Sequence, residues 1–128
     1  LLLDTHVLLW ALREDAQLSR PARKLIEDGE NQIFVSAASI WEIAIKQARG
    51  LLRLDMETVV EILKAQSFEE LPVRIAHTLH LRDLPNHHRD PFDRILIAQS
   101  ITEHLRLMTA DETILSYEGI AGFHPLPV

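Results

Sequence analysis

Residues 1–12 read Leu1-Leu2-Leu3-Asp4-Thr5-His6-Val7-Leu8-Leu9-Trp10-Ala11-Leu12. Consecutive leucines are apolar on both sides, as in a strand covered on both faces. From Thr5 to Leu12 the chain carries Val7, Leu8, Leu9 and Trp10 and reads as a helix apolar on most sides. A strand that runs directly into a helix is one β-α unit, and repeats of such units make a parallel sheet with helices on both faces. Asp4 sits at the junction. Ligands in these folds bind at the carboxyl ends of the strands, so Asp4 is either a helix N-cap or part of a site.

The same alternation continues along the chain. Ser19-Arg20-Pro21 predicts a helix start, with Ser as N-cap and Pro in the first turn, and that helix runs to about Asp28 and stops at Gly29. Gln32-Ile33-Phe34-Val35 is a second strand. Ser36 opens a helix through Ile40, Trp41, Ile43, Ala44 and Ile45 that stops at Gly50. Asp55 caps another, with Val59, Val60, Ile62 and Leu63 on its inner face. Leu71-Pro72-Val73 is a short strand or an extended link, and Ile75 to Leu81 a short helix. A polar loop from Leu84 to Arg89 holds His87-His88. Asp90-Pro91 opens the most helical segment, Phe92 to about Leu105. Arg106-Leu107-Met108-Thr109 is a third clear strand. Asp111 begins a short helix that ends at Gly119. Phe123-His124-Pro125-Leu126 closes the chain as an edge strand, where Pro is tolerated. No repeat or linker divides residues 1–128, which are expected to form one domain.

Composition removes several function classes. With no cysteine, disulfides, zinc-thiolate centres and thiol catalysis are excluded. No apolar run reaches the roughly 18 residues of a membrane span, and a reducing cytoplasm is the expected setting. Leu1-Leu2-Leu3 is too short for a signal peptide, and the missing initiator Met implies residues before Leu1. The net charge of −6 is unlike that of a passive nucleic-acid binder. An acidic chain can still act on nucleic acid if its acids are gathered in a site that a metal neutralises. Arg89 and Arg94 flank the most acidic motif, either as RNA contacts or as plain solvated surface. Trp10 and Trp41 are expected in the core, given their apolar neighbours.

Four acids conflict with their surroundings. Asp4 ends one apolar run; Glu42 interrupts Ile40-Trp41 and Ile43-Ala44-Ile45. Asp93 precedes Ile95-Leu96-Ile97-Ala98, and Asp111 follows Leu107-Met108-Thr109-Ala110. Apolar runs become buried, and carboxylates are seldom buried unless paired or bound to a cation. Each has a bland alternative: caps at Asp4 and Asp111, a capping-box contact at Asp93, a Glu-to-Lys pair with Lys46 at Glu42. Asp90, directly before Pro91, is the stronger cap. Taken together the four suggest convergence on one oxygen-rich cation site suited to Mg²⁺ or Mn²⁺. Thr5, Ser39 and Thr109 stand beside them as hydroxyls able to orient carboxylates or water.

These residues, in this order, resemble the PIN-domain ribonucleases, and more closely the VapC toxins of bacterial toxin–antitoxin pairs. The resemblance rests on Leu2-Leu3-Asp4-Thr5-His6, Ser36 through Ser39-Ile40-Trp41-Glu42-Ile43, Arg89-Asp90-Pro91-Phe92-Asp93-Arg94 onward to Gln99, and Thr109-Ala110-Asp111-Glu112. Lys46 and Gly50-Leu51-Leu52-Arg53-Leu54 also fit, so nearly the whole chain is covered. The resemblance implies a PIN-like three-layer α/β/α fold with a central, mainly parallel sheet. It implies that Asp4, Glu42, Asp93 and Asp111 hold Mg²⁺ or Mn²⁺ as the catalytic acids of an endoribonuclease. It further implies a homodimer and inhibition by a VapB-like antitoxin. Within Asp90-Pro91-Phe92-Asp93 the metal-facing role falls to Asp93, since Asp90 already serves as cap. A haloacid-dehalogenase-like phosphatase would need a second Asp at position 6, which is His6; a phospho-receiver domain would need adjacent acids after the first strand. The remaining rival is a catalytically silent PIN-like module that binds RNA or protein.

Overall fold

Leu2 and Leu3 are the whole of the central strand. The computed structural model describes all 128 residues. In chain order the elements are β1 (Leu2–Leu3), α1 (Thr5–Leu12), α2 (Arg20–Glu27), β2 (Phe34–Ser36), α3 (Ala37–Ala48), α4 (Met56–Ala65), β3 (Glu69–Leu71), α5 (Ile75–Leu81), α6 (Pro91–Thr102), β4 (Arg106–Thr109), α7 (Glu112–Leu115) and β5 (His124–Pro127). The strands form one sheet in the order β3-β2-β1-β4-β5. Every pairing is parallel, so the expected mainly parallel sheet is wholly so.

Alternation along each strand divides the core into two layers. Leu3 and Met108 face a cluster with Val7 and Leu8 of α1, Ala22 of α2 and Ile43 of α3. Leu2 and Leu107, one residue earlier on the same strands, face Leu96 and Ile97 of α6, Ile114 and Tyr117. Each such leucine contributes about 2 kcal/mol through removal from water. Ile95 through Ser100 are all buried, because α6 is enclosed by α3, α5 and the sheet.

The chain lays down β1, β2 and β3 outward on one side, then returns across the centre for β4 and β5. This reversal leaves a crevice between the carboxyl ends of β1 and β4, the usual ligand position in an open parallel sheet. Asp4 follows β1 directly and donates its backbone N–H to the Met108 carbonyl at 3.0 Å. Asp111 lies just beyond β4.

Some expectations shift. The second strand falls on Phe34–Ser36, so Ser36 both ends the strand and caps α3 through the Ala38 N–H. The third strand is Glu69–Leu71 rather than Leu71–Val73; Glu69 and Glu70 are exposed on an edge strand, where pairing with Phe34 and Val35 sets the register without any apolar signal. α6 ends at Thr102 because His104 turns into the left-handed region at φ 54°. The helix after Asp111 is a single turn that ends at Leu115, well before Gly119. On α4 Val59 is fully buried while Val60 is 41% exposed. Trp10 is half-buried, but Trp41 is 64% exposed, its ring set edge-on to Phe92 at 5.0 Å, and so lies outside the core.

Candidate active site

Each of the four acids arrives on a different element, and in two of them one carboxylate oxygen is committed to capping. Asp4 Oδ1 accepts the Val7 N–H at 2.7 Å and so starts α1. Asp111 Oδ1 accepts from Thr113 at 2.7 Å and from Ile114 at 3.3 Å. The cap reading therefore holds for both, and each keeps a second oxygen free of it. Thr109 joins the two: its hydroxyl oxygen accepts the Asp111 N–H at 3.0 Å, and the hydroxyl hydrogen-bonds the Asp4 carboxylate. The strand ends β1 and β4 are thereby tied through a single threonine.

Glu42 sits in the second turn of α3 and is only 5% exposed. Its Oε1 lies 3.5 Å from Lys46 Nζ, the expected pair one turn on. Its Oε2 is buried with no hydrogen-bond partner at all. An ionised oxygen in that state is costly, by several kcal/mol in general. The helix that carries Glu42 is fixed by a contact that periodicity does not reveal. Gln99, fully buried in α6, accepts from the Ser36 hydroxyl at 2.6 Å and donates to the Pro72 carbonyl at 3.2 Å. On the neighbouring face of α3, the Thr5 hydroxyl donates to Ser39 Oγ at 3.1 Å, which links α1 to the turn before Glu42.

Asp90 and Asp93 separate as their positions suggest. Asp90 Oδ1 accepts the Phe92 N–H at 2.8 Å and the Asp93 N–H at 3.4 Å, a cap for α6. Asp93 turns inward, with Oδ2 2.7 Å from His88 Nε2. The same nitrogen lies 3.8 Å from Asp111 Oδ2. These are ion-pair distances; the imidazole N–H is not aligned for a hydrogen bond with either oxygen. One donor atom each from His88, Asp93 and Asp111 falls within 4.8 Å of the others. Asp4 and Glu42 are more deeply buried and stand outside this group of donor atoms, and their charges bear on Asp93.

The charges of the acids act on one another. Burial pushes the Asp93 carboxyl up to about 6; the charge of Asp90 adds to the rise, His88 pulls it back, and Glu42 and Asp4 push it further. Burial also raises Asp4 above the ordinary carboxylate range. The hydrogen bonds from Thr109 and Val7 and the charge of His6 oppose that rise, while Asp111 adds to it. Such a cluster lacks positive charge. Oxygen donors with one nitrogen, two strained carboxyls and an orphaned buried oxygen fit a divalent cation such as Mg²⁺ or Mn²⁺.

Two site features were not legible in advance. The polar loop that holds His87-His88 folds back over α6 and brings His88 to the acids. Its place five residues before Asp93, just ahead of the cap, is the available signal. Arg94, expected as an RNA contact or as solvated surface, instead donates to carbonyls of that loop and of Leu81 at the end of α5. Arg89 remains exposed at the rim.

Comparison with known proteins agrees with this fold. The family model for the PIN domain matches residues 1–119. Ribonuclease VapC22 of Mycobacterium tuberculosis is 30% identical over 130 residues, spanning 99% of this chain and 95% of that protein. Among solved structures, VapBC2 from Rickettsia felis, bound to a DNA fragment from its promoter, superposes with a TM-score of 0.74 at 14% identity, over 98% of this chain and 96% of that one. VapBC-5 from Mycobacterium tuberculosis gives a TM-score of 0.68 at 18% identity, over 99% and 97%. These structures share the fold, and the family match and VapC22 share the sequence. This chain belongs to the PIN-domain family, and within it to the VapC type.

Proposed function

We propose that this chain is a Mg²⁺- or Mn²⁺-dependent endoribonuclease and the toxin of a VapBC-type toxin–antitoxin pair. The observation that carries the reading is Glu42 Oε2, buried and left without a partner on a side chain whose charge acts on Asp93. Asp4, Glu42, Asp93 and Asp111 would hold the cation. Bound there, it supplies Lewis-acid stabilisation of a phosphate and an acidified water. The chain's own residues do the rest. Asp4 and Asp111 are fixed by their caps and joined by Thr109, so the crevice needs little rearrangement to receive a ligand. The Thr5–Ser39 contact holds α3 against α1. Arg89 is exposed and one residue before the Asp90 cap, which supports a contact with the RNA backbone.

Purified protein should cut single-stranded RNA with Mg²⁺ or Mn²⁺ and stop when EDTA is added. Hydrolysis by water leaves 5′-phosphate and 3′-hydroxyl ends. A variant with all four acids replaced by their amides should be inactive. Equal cleavage by that variant would overturn the assignment, and RNA binding without any cleavage would support the silent-module alternative. The acidic pocket suits an arginine from a VapB-like antitoxin, and a complex of that kind acts in the cytoplasm. No helix is long and apolar enough to cross a membrane.

We also propose a homodimer. The apolar helices around Trp10 and Val59-Val60 suggest one face for it, but Val59 is fully buried and Trp10 half-buried, which leaves only Val60 exposed there, at 41%. Beside Leu51, the more exposed large apolar side chains are Trp41, Val73, Ile75 and Leu79, the last two at 82% and 59% exposure. Trp41, Val73 and Phe92 line an apolar hollow of about 470 Å³. A patch of this kind commonly marks an interface. Sedimentation at micromolar concentration should show a dimer, and Ile75→Asp combined with Leu79→Asp should give a folded monomer. A monomeric parent at moderate salt would count against it.

A further inference from the structure

The loop before α6 is held with unusual thoroughness. Arg94 Nη1 donates to the Pro85 carbonyl at 2.8 Å, to the His88 carbonyl at 3.3 Å and to the Tyr117 hydroxyl at 3.0 Å. Its Nη2 donates to the carbonyls of Leu81 at 3.2 Å and Leu84 at 3.3 Å. Tyr117 is fully buried; its hydroxyl donates to Pro85 at 2.8 Å and accepts the His88 N–H at 2.8 Å. The backbone of His88 is thus gripped on both sides, its N–H by Tyr117 and its carbonyl by Arg94. Removing a guanidinium from water is costly unless its donors are satisfied, and here the end of α5, the loop after it and Tyr117 satisfy both terminal nitrogens. What the grip delivers is the His88 ring, its Nε2 among the inward oxygens of Asp93 and Asp111.

We propose that His88 is a nitrogen ligand for the cation of the acidic pocket, positioned by Tyr117, and that it turns the pocket's preference from Mg²⁺ toward Mn²⁺. The proposal rests on the metal reading given above. Its donor atom is already grouped with those of Asp93 and Asp111 within 4.8 Å. Nε2 is buried and makes no aligned hydrogen bond; what a cation would open is its 2.7 Å ion pair with Asp93 Oδ2. Nδ1 accepts the Asp90 N–H at 3.4 Å, the limit of such a bond. That weak contact is what the ring gives up when its proton moves to Nδ1 and Nε2 turns to the metal. Mg²⁺ demands oxygen and keeps its waters, whereas imidazole binds first-row transition metals more readily.

The test uses the full chain, stripped of metal and titrated separately with Mn²⁺ and Mg²⁺ by calorimetry. Pulsed electron paramagnetic resonance on the Mn²⁺-loaded protein then reads ¹⁴N coupling from a bound imidazole. The parent and His87→Gln should both show the ¹⁴N signal; His87 is exposed and contacts only Ser116 and the Tyr117 ring. His88→Gln should lose the signal and about ten-fold in Mn²⁺ affinity or more, with Mg²⁺ affinity little changed. Tyr117→Phe should weaken Mn²⁺ binding selectively, which a merely structural loss would not do. If His88→Gln keeps the ¹⁴N signal, or weakens both metals equally, His88 is no ligand although the pocket still binds metal. If the parent binds neither metal, the metal reading itself fails.

Discussion

Asp93→Asn should lower metal-dependent RNA cleavage by about 100-fold or more, while Asp90→Asn should retain most of it. Residues that merely orient metal ligands cost about 10- to 100-fold when removed, so loss of a ligand should cost at least the upper figure. Asp90 has a different task. Its Oδ1 receives two backbone N–H groups at the start of α6. Asn caps a helix as well as Asp does, whereas Asp90→Ala should lose about 1 kcal/mol of stability. The two substitutions also move the pH profile differently. A carboxyl must ionise to hold a cation, and that of Asp93 does so only near 6. Cleavage at limiting metal should therefore rise with pH through about 6 in the parent. Asp90 is, after burial, the largest cause of the high value. Removing its charge in Asp90→Asn should bring the rising limb to lower pH. Initial rates on a labelled RNA across that range measure both effects. Inactive Asp90→Asn beside active Asp93→Asn would reverse the assignment.

The distinction between Asp90 and Asp93 was readable because capping leaves a local mark. Asp before Pro at a helix start, Ser36 before an apolar helix and Ser19 before Arg20-Pro21 each involve a backbone group only two or three residues away. The central strand and its neighbours were readable for a similar reason: continuous apolar runs identify strands buried on both faces. Acids at the ends of such runs point to the crevice because strand ends are where parallel sheets leave room.

What stayed hidden depends on polar contacts between distant residues. Tyr117 reaches back 29 residues to the His88 N–H, and Gln99 reaches 63 to Ser36. Neither leaves a periodic trace, and a glutamine inside Ile95-Leu96-Ile97-Ala98-Gln99 looks like an interruption rather than a tie. Arg94 was misread for the opposite reason. A charged residue near an acidic motif suggests solvent or ligand, yet a carbonyl-rich loop can supply most of a guanidinium's hydrogen-bond partners. Trp41 shows the same limit on the apolar side: hydrophobicity predicts burial, yet the ring rests edge-on against Phe92 and stays 64% exposed. The edge strand β3 carried no apolar signal at Glu69 and Glu70, because its side chains face water while its backbone completes the sheet.

Asp4→Asn should be at least as stable as the parent in EDTA and should respond far less to metal. Asp4 is 2% exposed, and burial raises its carboxyl above the usual range. Asp93 behaves likewise, with a value of about 6. An acid whose pKa is higher folded than unfolded binds its proton more tightly in the folded state. It costs no stability below its unfolded value, near 4, and its full cost is reached above its folded value. The metal-free parent should therefore become less stable as pH rises from about 4 to 6, and should be strained at neutral pH. Asn at position 4 removes one of the charges responsible. It can still accept the Val7 N–H, since Asn is as good an N-cap as Asp. A cation that binds only the folded site should restore the parent, by about 2.7 kcal/mol at 100 times its dissociation constant. Asp4→Asn lacks one of the oxygens and should recover little of this. Thermal melts in EDTA and in millimolar Mg²⁺ or Mn²⁺, at acid and neutral pH, read all of these terms. The opposite result, a variant clearly destabilised in EDTA that keeps the full metal response, would leave Asp4 as a helix cap and remove it from the site. An active site trades stability for charge placed where a ligand needs it, and a simple cap has no such trade to reveal.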